Sequence, residues 1–404
     1  MRSVRVALLT LLATLSTPVS AGELILKPQQ IDAPEAARTG HSSVIWGNRL
    51  YILGGQTTTA GGDDGSSYLR SVVSAELKAD GGLGPFREET ALPVPRGYHA
   101  TVATGGNLYV IGGFKDETPG NIGMVSGILR SRVDPSTGQL GPWEVVNSGM
   151  KFARGEATVM GDQLYVVGGL TSTGSSSNRV WSLEIREDGS LGEPTYAGDM
   201  AMPHQRFAMV STRGALVAVG GYRPDDYKVY SRAIEVIPLE DDGEMGQPLL
   251  VEGLKVGRAN LDGVLVGDHL VLVGGHELGH ISGRVEVATL DDKGSVTAWD
   301  KNAWLRWGRA NHTVEVAGTS LYIIGGADYR GICETIDVIP LTEVIDGFSG
   351  GVVRPVGLPA VRKPAPAAPA SPAEMAPASP VEMAPAAPAE EAAPAAPVNG
   401  GTLE

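Results

Sequence analysis

The chain of 404 residues holds a single cysteine, Cys333, which excludes a disulfide within the chain as the device that stabilises it. Positive charge is in the minority. There are 32 Lys and Arg against 46 Asp and Glu, a net charge of −14. That balance argues against nucleic acid, whose binding depends on neutralising phosphates, and against anionic membrane surfaces for the same reason. Beyond the first residues no apolar run approaches the roughly 18 residues of a membrane-spanning helix, so no membrane insertion is expected. Aromatic residues are scarce at 5%, whereas glycine is abundant, with 55 copies. So much glycine excludes a mostly helical chain, because each interior glycine costs a helix about 1 kcal/mol relative to alanine. It suits a chain with many tight turns.

The amino terminus reads as an export leader. Arg2 and Arg5 precede an apolar stretch at residues 6–15, and Val19, Ser20 and Ala21 form a small-residue cleavage site. The expected organisation is a leader at 1–21, a folded region at 22–356 and a Pro/Ala-rich tail at 357–404. The tail carries near-copies of Ser-Pro-Ala/Val-Glu-Met-Ala-Pro-Ala beginning at Ser371 and Ser379, and lacks the apolar bulk for a core. An exported protein, periplasmic or extracellular, is therefore expected, held closed without covalent staples.

The glycines show how. They recur as pairs behind short apolar runs, of which Leu50-Tyr51-Ile52-Leu53-Gly54-Gly55 is the first, with the leading Gly at 54, 112, 168, 220, 274 and 325. An arginine precedes each pair by 16 or 14 residues: Arg38, Arg96, Arg154, Arg206, Arg258 and Arg309. Self-similarity near 50 residues marks a propeller of four-stranded blades. Alternating apolar and polar residues support strands, and Asp-Gly turns such as Asp80-Gly81 and Asp188-Gly189 join the third strand to the fourth. Two segments compete to close the ring. Residues 23–37 resemble the fourth strands elsewhere, and repeat symmetry favours them over residues 352–362.

Arg-x-x-His followed by Leu-Tyr-(Val/Ile)-(Val/Ile/Leu)-Gly-Gly resembles the kelch repeat. The resemblance covers about residues 24–356 and implies an all-β fold, a six-bladed kelch-type β-propeller. It departs from the kelch pattern in its aromatics, since only Trp143 and Trp299 fill the usual Trp place, so packing must rest more on Val, Ile and Leu. The resemblance further implies that the linkers entering the first strands lie on one face. Arg38, Arg96, Arg154, Arg206, Arg258 and Arg309 would then surround one channel mouth as ligand-binding groups, with His41, His99 and His312 beside them. The alternative is that these arginines cap backbone carbonyls and join blades. Glu156 is a weak catalytic candidate.

His276-Glu277-Leu278-Gly279-His280 matches H-E-x-x-H, in which two histidines one helical turn apart hold zinc. Here the repeat places it in a loop, and Gly274, Gly275 and Gly279 disfavour a helix, so His276 and His280 are weak metal candidates and a zinc protease is a remote reading. Acidic turns at 62–65 and 240–243 suggest calcium only weakly. No firm cofactor is expected.

The leading expectation is a module that binds a protein or carbohydrate ligand on one propeller face, through the Gly/Ser/Thr-rich loops at 56–67, 114–123 and 170–177. The alternative is an enzyme similar to kelch sialic-acid mutarotases, in which Arg and Glu at the channel mouth orient an acidic sugar and move a proton. A purely structural role, with the tail as a tether, is the third.

Overall fold

Short apolar runs followed by Gly-Gly become the second strands of six blades. The computed structural model describes residues 24–57, 67–118, 121–222, 229–240 and 244–348. The expected leader and tail, the competing segment 352–362, the acidic turn at 62–65, residues 241–243 of the other acidic turn and most of the loop at 56–67 lie outside the described residues. Blade 1 comprises Ser42–Trp46, Arg49–Leu53, Val72–Glu76 and Arg87–Glu88, paired antiparallel in that order. Blades 2 to 5 repeat the order, with first strands at Ala100–Thr104, Glu156–Met160, Ala208–Ser211 and Asp262–Val266. Blade 6 contains Thr313–Ala317, Ser320–Ile324 and Thr335–Pro340, and its outer strand is Gln29–Asp32 from the beginning of the chain.

That outer strand closes the ring as repeat symmetry suggested. Gln29 pairs with Val338 and Asp32 with Thr335, antiparallel. Just before it, Leu24–Leu26 adds a fifth strand to blade 5, parallel to Val296–Leu305, and buries Leu26 between blades 5 and 6. The fifth strand was not legible in the sequence. It means the chain start staples two blades.

No single core exists among the described residues. Apolar side chains gather in one cluster per junction, from the cluster of Tyr51, Leu53, Leu108 and Val110 between blades 1 and 2 round to that of Ile52, Ala75, Ile324 and Ile336 between blades 6 and 1. Second strands are covered on both sides, which is why they read as continuous apolar runs. In blades 1, 2 and 6 the tyrosine of that strand reaches the third-to-fourth-strand turn of the next blade: Tyr51 donates to Gly138 O at 2.5 Å, Tyr109 to Gly189 O at 2.8 Å and Tyr322 to Gly81 O at 3.0 Å. Trp143 also reaches back, donating to Thr90 O of the preceding repeat at 2.8 Å, whereas Trp299 stays partly exposed.

The glycine pairs explain why this packing admits no side chain. Gly54 has φ of 55°, and a Cβ there would sit 2.4 Å from Arg96 O of the next blade. The second glycine donates its N–H to that same carbonyl, Gly55 to Arg96 O at 2.8 Å, and the contact recurs at every junction. The acceptors are Arg96, Phe152, His204, Arg258 and Arg309, with Gly326 donating to Arg38 to complete the circle. In blades 3 and 4 the residue equivalent to Arg38 is thus Phe152 or His204, two places before the arginine that the spacing suggested. Cys333 starts the third-strand region of blade 6, its N–H bonded to Gly326 O as Ser231 N–H is to Gly221 O, and it is buried.

Candidate functional site

Two residues beyond each of those acceptors the chain turns through a left-handed conformation. Gly40, Tyr98, Arg154, Arg206, Asn260 and Asn311 have φ between 53° and 59°. Glycine and asparagine visit this region readily, and the others need surrounding contacts to hold them there. The contacts form a closed backbone circle. Tyr98 N–H donates to Gly40 O, Arg154 to Tyr98 O, Arg206 to Arg154 O, Asn260 to Arg206 O, Asn311 to Asn260 O and Gly40 to Asn311 O, at 2.6 to 3.1 Å. These residues rim a cavity of about 150 Å³ at the mouth of the central channel.

The six arginines anticipated around the mouth divide into two sets. Arg38, Arg96, Arg258 and Arg309 are buried in the blades, each donating Nη1 to the carbonyl of the first glycine of its pair at 2.9 to 3.0 Å. They satisfy carbonyls that a strand end leaves open, so the carbonyl-capping alternative describes them. Arg258 and Arg309 also pair with Glu286 at 2.5 Å and Asp337 at 2.8 Å, and His204 pairs with Glu235 at 3.0 Å in the same place. Arg154 and Arg206 stand in the mouth. The Arg206 guanidinium lies 4.5 Å from the centre of the Tyr98 ring and donates Nη1 to Asn260 Oδ1 at 2.7 Å and Asn311 Oδ1 at 3.2 Å. The Arg154 guanidinium lies 5.4 Å from Tyr98 and 5.1 Å from Phe114, two rings that meet edge to face. Cation–π contact and fixed amides therefore set both forks at one rim.

His41, His99 and His312 come together one residue below the rim, on blades 1, 2 and 6. Burial, with Arg38 beside His41, Arg309 beside His312 and Arg96 beside His99, lowers His41 and His312 to about 3 and His99 well below its ordinary value, so all three are neutral. His41 Nε2 contacts Thr313 Oγ1 at 3.1 Å and His99 Nε2 contacts Ser42 Oγ at 2.7 Å. Their equivalents in blades 3, 4 and 5 are Gly155, Phe207 and Leu261.

Glu156 faces the same cavity, and two carboxyls the sequence did not single out join it, Asp262 and Glu315. Protein encloses them although the lumen reaches them in part. Desolvation raises Asp262 to about 7 and Glu315 to about 8, and holds Glu156 well above the usual range, with Asp262 adding to the rise at both glutamates. Ser43 Oγ donates to Glu315 Oε1 at 2.8 Å, and Asp262 accepts from Gly263 N at 2.8 Å and Val314 N at 2.7 Å. Asp262 and Glu315 begin or lie within first strands, so the only signal for them was an acidic residue on a strand that a propeller turns inward.

The pH dependence follows. Carboxyls raised on folding bind more protons in the native state, so their contribution is full below about pH 4 and is lost as pH rises through the folded values. The thermal midpoint is expected to fall between about pH 6.5, above which the neutral buried histidines add no opposing slope, and about pH 8, and Glu315→Gln to flatten that fall; a wild-type midpoint that rises across this range would contradict the enclosure of these groups.

The H-E-x-x-H segment forms a hairpin, with His276 paired to Ile281 and Glu277 to His280 across the turn at Leu278 and Gly279. Directly paired residues share a face and neighbours alternate, so His276 and His280 point to opposite sides. Glu277 is buried and ion-paired with Arg284 at 3.1 Å, and no cluster of three metal-ligating side chains occurs among the described residues. The zinc-protease reading fails on this geometry. His276 instead shares a hydrogen bond with Asn260 Nδ2 at 3.0 Å, joining the hairpin to the mouth.

Six blades, a closed circle of repeated contacts and a channel rimmed on one face define a six-bladed propeller, and its repeats are similar to those of kelch proteins. The chain is similar to Beta-scruin of Limulus polyphemus, 26% identical over 203 residues, 49% of this chain and 20% of that protein. It is also similar to Kelch repeat and BTB domain-containing protein 12 of Danio rerio, 32% identical over 139 residues, 32% of this chain and 19% of that protein. It thus spans about a fifth of the length of the curated relatives it matches. Among solved structures, that of YjhT superposes with a TM-score of 0.55 at 16% identity, over 78% of this chain and 95% of that one, a likeness of fold. No protein-family model matches.

Proposed function

We propose that the protein is a binding module that takes a small carboxylate-bearing ligand at the mouth of its channel, and that it acts outside the cytoplasm, as its leader suggests. The observation that carries the reading is the division of the arginines. Four are consumed inside blades, while Arg154 and Arg206 hold two forks at one rim beside Tyr98, Asn260 and Asn311. Planar guanidinium groups favour carboxylates, and amides beside them suit hydroxyls. Titration calorimetry with N-acetylneuraminate and glucuronate against their neutral counterparts tests it. At least one acid is expected to bind, and Arg206→Ala to weaken it at least about tenfold, since a charge-assisted hydrogen bond contributes about 1.5–3 kcal/mol. Equal binding of acid and neutral sugar, or none by either, rejects the reading.

One observation favours an enzymatic version. Asp262 and Glu315, near 7 and 8, exchange protons at neutral pH just below the rim. For an acidic sugar held by the arginines, one carboxylic acid protonates the ring oxygen while a carboxylate takes the proton of the anomeric hydroxyl. The ring opens to the carbonyl form, and the reverse transfers close it on the other face. Anomer exchange followed by NMR, lost in Glu315→Gln and Asp262→Asn, separates this version from binding alone.

A further inference from the structure

A second cavity lies away from the channel mouth. It is a cleft of about 940 Å³ between the outer strand of blade 2, Glu144–Lys151, and the third strand of blade 3, Ser177–Glu184. Its volume is at the upper end of the roughly 300–1,000 Å³ typical of ligand pockets. Three local features build it. Phe152 stands where four other blades place the buried arginine, so an apolar ring forms the floor instead of a guanidinium that bonds carbonyls. In blade 2 the ladder slips, with Ile128 paired to Asn147 but Ser126 to Lys151, so residues 148–150 arch outward. Asn147 Oδ1 holds the arch by accepting from the N–H groups of Gly149 and Met150, both at 3.1 Å. Bulges of this kind recur beside functional sites, where they redirect a strand. The third feature is the Ser/Thr-rich loop of unit three, which walls the cleft.

The lining is suited to one chemistry. Trp181 lines the cleft, with Tyr196 edge to face at 6.1 Å fixing the indole plane. Around it stand hydroxyls of residues 171–177 and the amides of Asn147 and Asn178, which both donate and accept. Charged residues are few and of mixed sign: Lys151, Arg179 and Glu193. Apolar C–H faces that lie on an indole and hydroxyls that meet amides and hydroxyls are the marks of a neutral sugar chain. A strongly anionic ligand would find little net counter-charge. An extended peptide adding to the blade 2 edge would meet the arch, which breaks the ladder it needs. We propose that this cleft is a second binding site, for a neutral oligosaccharide, independent of the channel mouth.

The test is titration of the full chain with short oligosaccharides of glucose, mannose, xylose and N-acetylglucosamine. Three variants accompany it: Trp181→Ala, Ser172→Trp on the exposed wall, and Arg206→Ala at the mouth. At least one sugar is expected to bind, to lose about tenfold or more in Trp181→Ala, the scale of one lost aromatic contact, to be blocked in Ser172→Trp, and to be unchanged in Arg206→Ala. Ser172 is exposed, so its variant remains informative if Trp181→Ala fails to fold. The proposal is overturned if none of these sugars binds, if binding survives Ser172→Trp, or if it is lost only in Arg206→Ala. In the last case the sugar belongs to the mouth.

Discussion

Removal of residues 24–32 is expected to leave a chain that no longer melts cooperatively at the temperature of the full protein. Three losses coincide. Gln29–Asp32 gives up its four ladder pairs with Thr335–Val338, Gln30 gives up its hydrogen bond to Asp337 at 2.9 Å, and Leu26 leaves the cluster between blades 5 and 6. Deleting one buried leucine side chain costs about 2–5 kcal/mol, against a total stability of about 5–15 kcal/mol for a typical domain. Truncation also exposes the third strand of blade 6 as an unpaired edge that invites association. Circular dichroism melts and size-exclusion chromatography check both effects, with Leu26→Ala as the graded version. A truncated chain that melts with the full one would show that residues 352–362 supply the closing strand.

Arg258→Met is expected to cost about 3–5 kcal/mol, the largest loss from a single substitution proposed for this chain, because it strands a buried carboxylate. Arg258 and Glu286 are 0% and 2% exposed and sit 2.5 Å apart. The guanidinium also holds Gly274 O and Arg284 O, so the same change frees two carbonyls. Arg96→Met serves as the comparison. Its side chain donates to Gly112 O and has no carboxylate partner among the described residues, so its expected cost is about 1–3 kcal/mol, that of one orphaned buried group. The double variant Arg258→Met/Glu286→Leu should recover much of the loss, since well-packed apolar pairs often replace buried ion pairs without penalty. Chemical denaturation of the wild type, Arg258→Met, Glu286→Leu and the double variant measures the cycle, with Arg96→Met beside them. Equal costs for Arg258→Met and Arg96→Met would mean that Glu286 finds water or another partner.

The carbonyl circle clarifies what the arginine spacing meant. Intervals of 16 and 14 residues before Gly-Gly look like one motif with slack, yet they mark two positions with opposite fates. At 16 the side chain runs inward along the blade to a glycine carbonyl, where His204 and Phe152 stand in for arginine in blades 4 and 3. At 14 the backbone is left-handed and the side chain belongs to the rim, where the other blades carry Gly40, Tyr98, Asn260 and Asn311. Asparagine at two of these places was a usable sign of the left-handed turn.

Repetition made the architecture readable from the residues alone. Glycine pairs, the apolar runs before them and the Asp-Gly turns are local requirements of strand ends and hairpins, and local requirements recur visibly each time a blade recurs. The family resemblance and the N-terminal closing strand followed from the same register. What the residues could not show was which side chains meet across blades. Gly40, Tyr98, Arg154, Arg206, Asn260 and Asn311 become neighbours only when the ring closes, and Glu156, Asp262 and Glu315 shift toward neutrality only because that closure takes water away from them. The zinc-like motif turned the other way for the same reason: its spacing suits a helix, but the Gly-Gly strand end and the backbone of the next blade require a hairpin there. Strand order was a property of each repeat, whereas the site is a property of the circle.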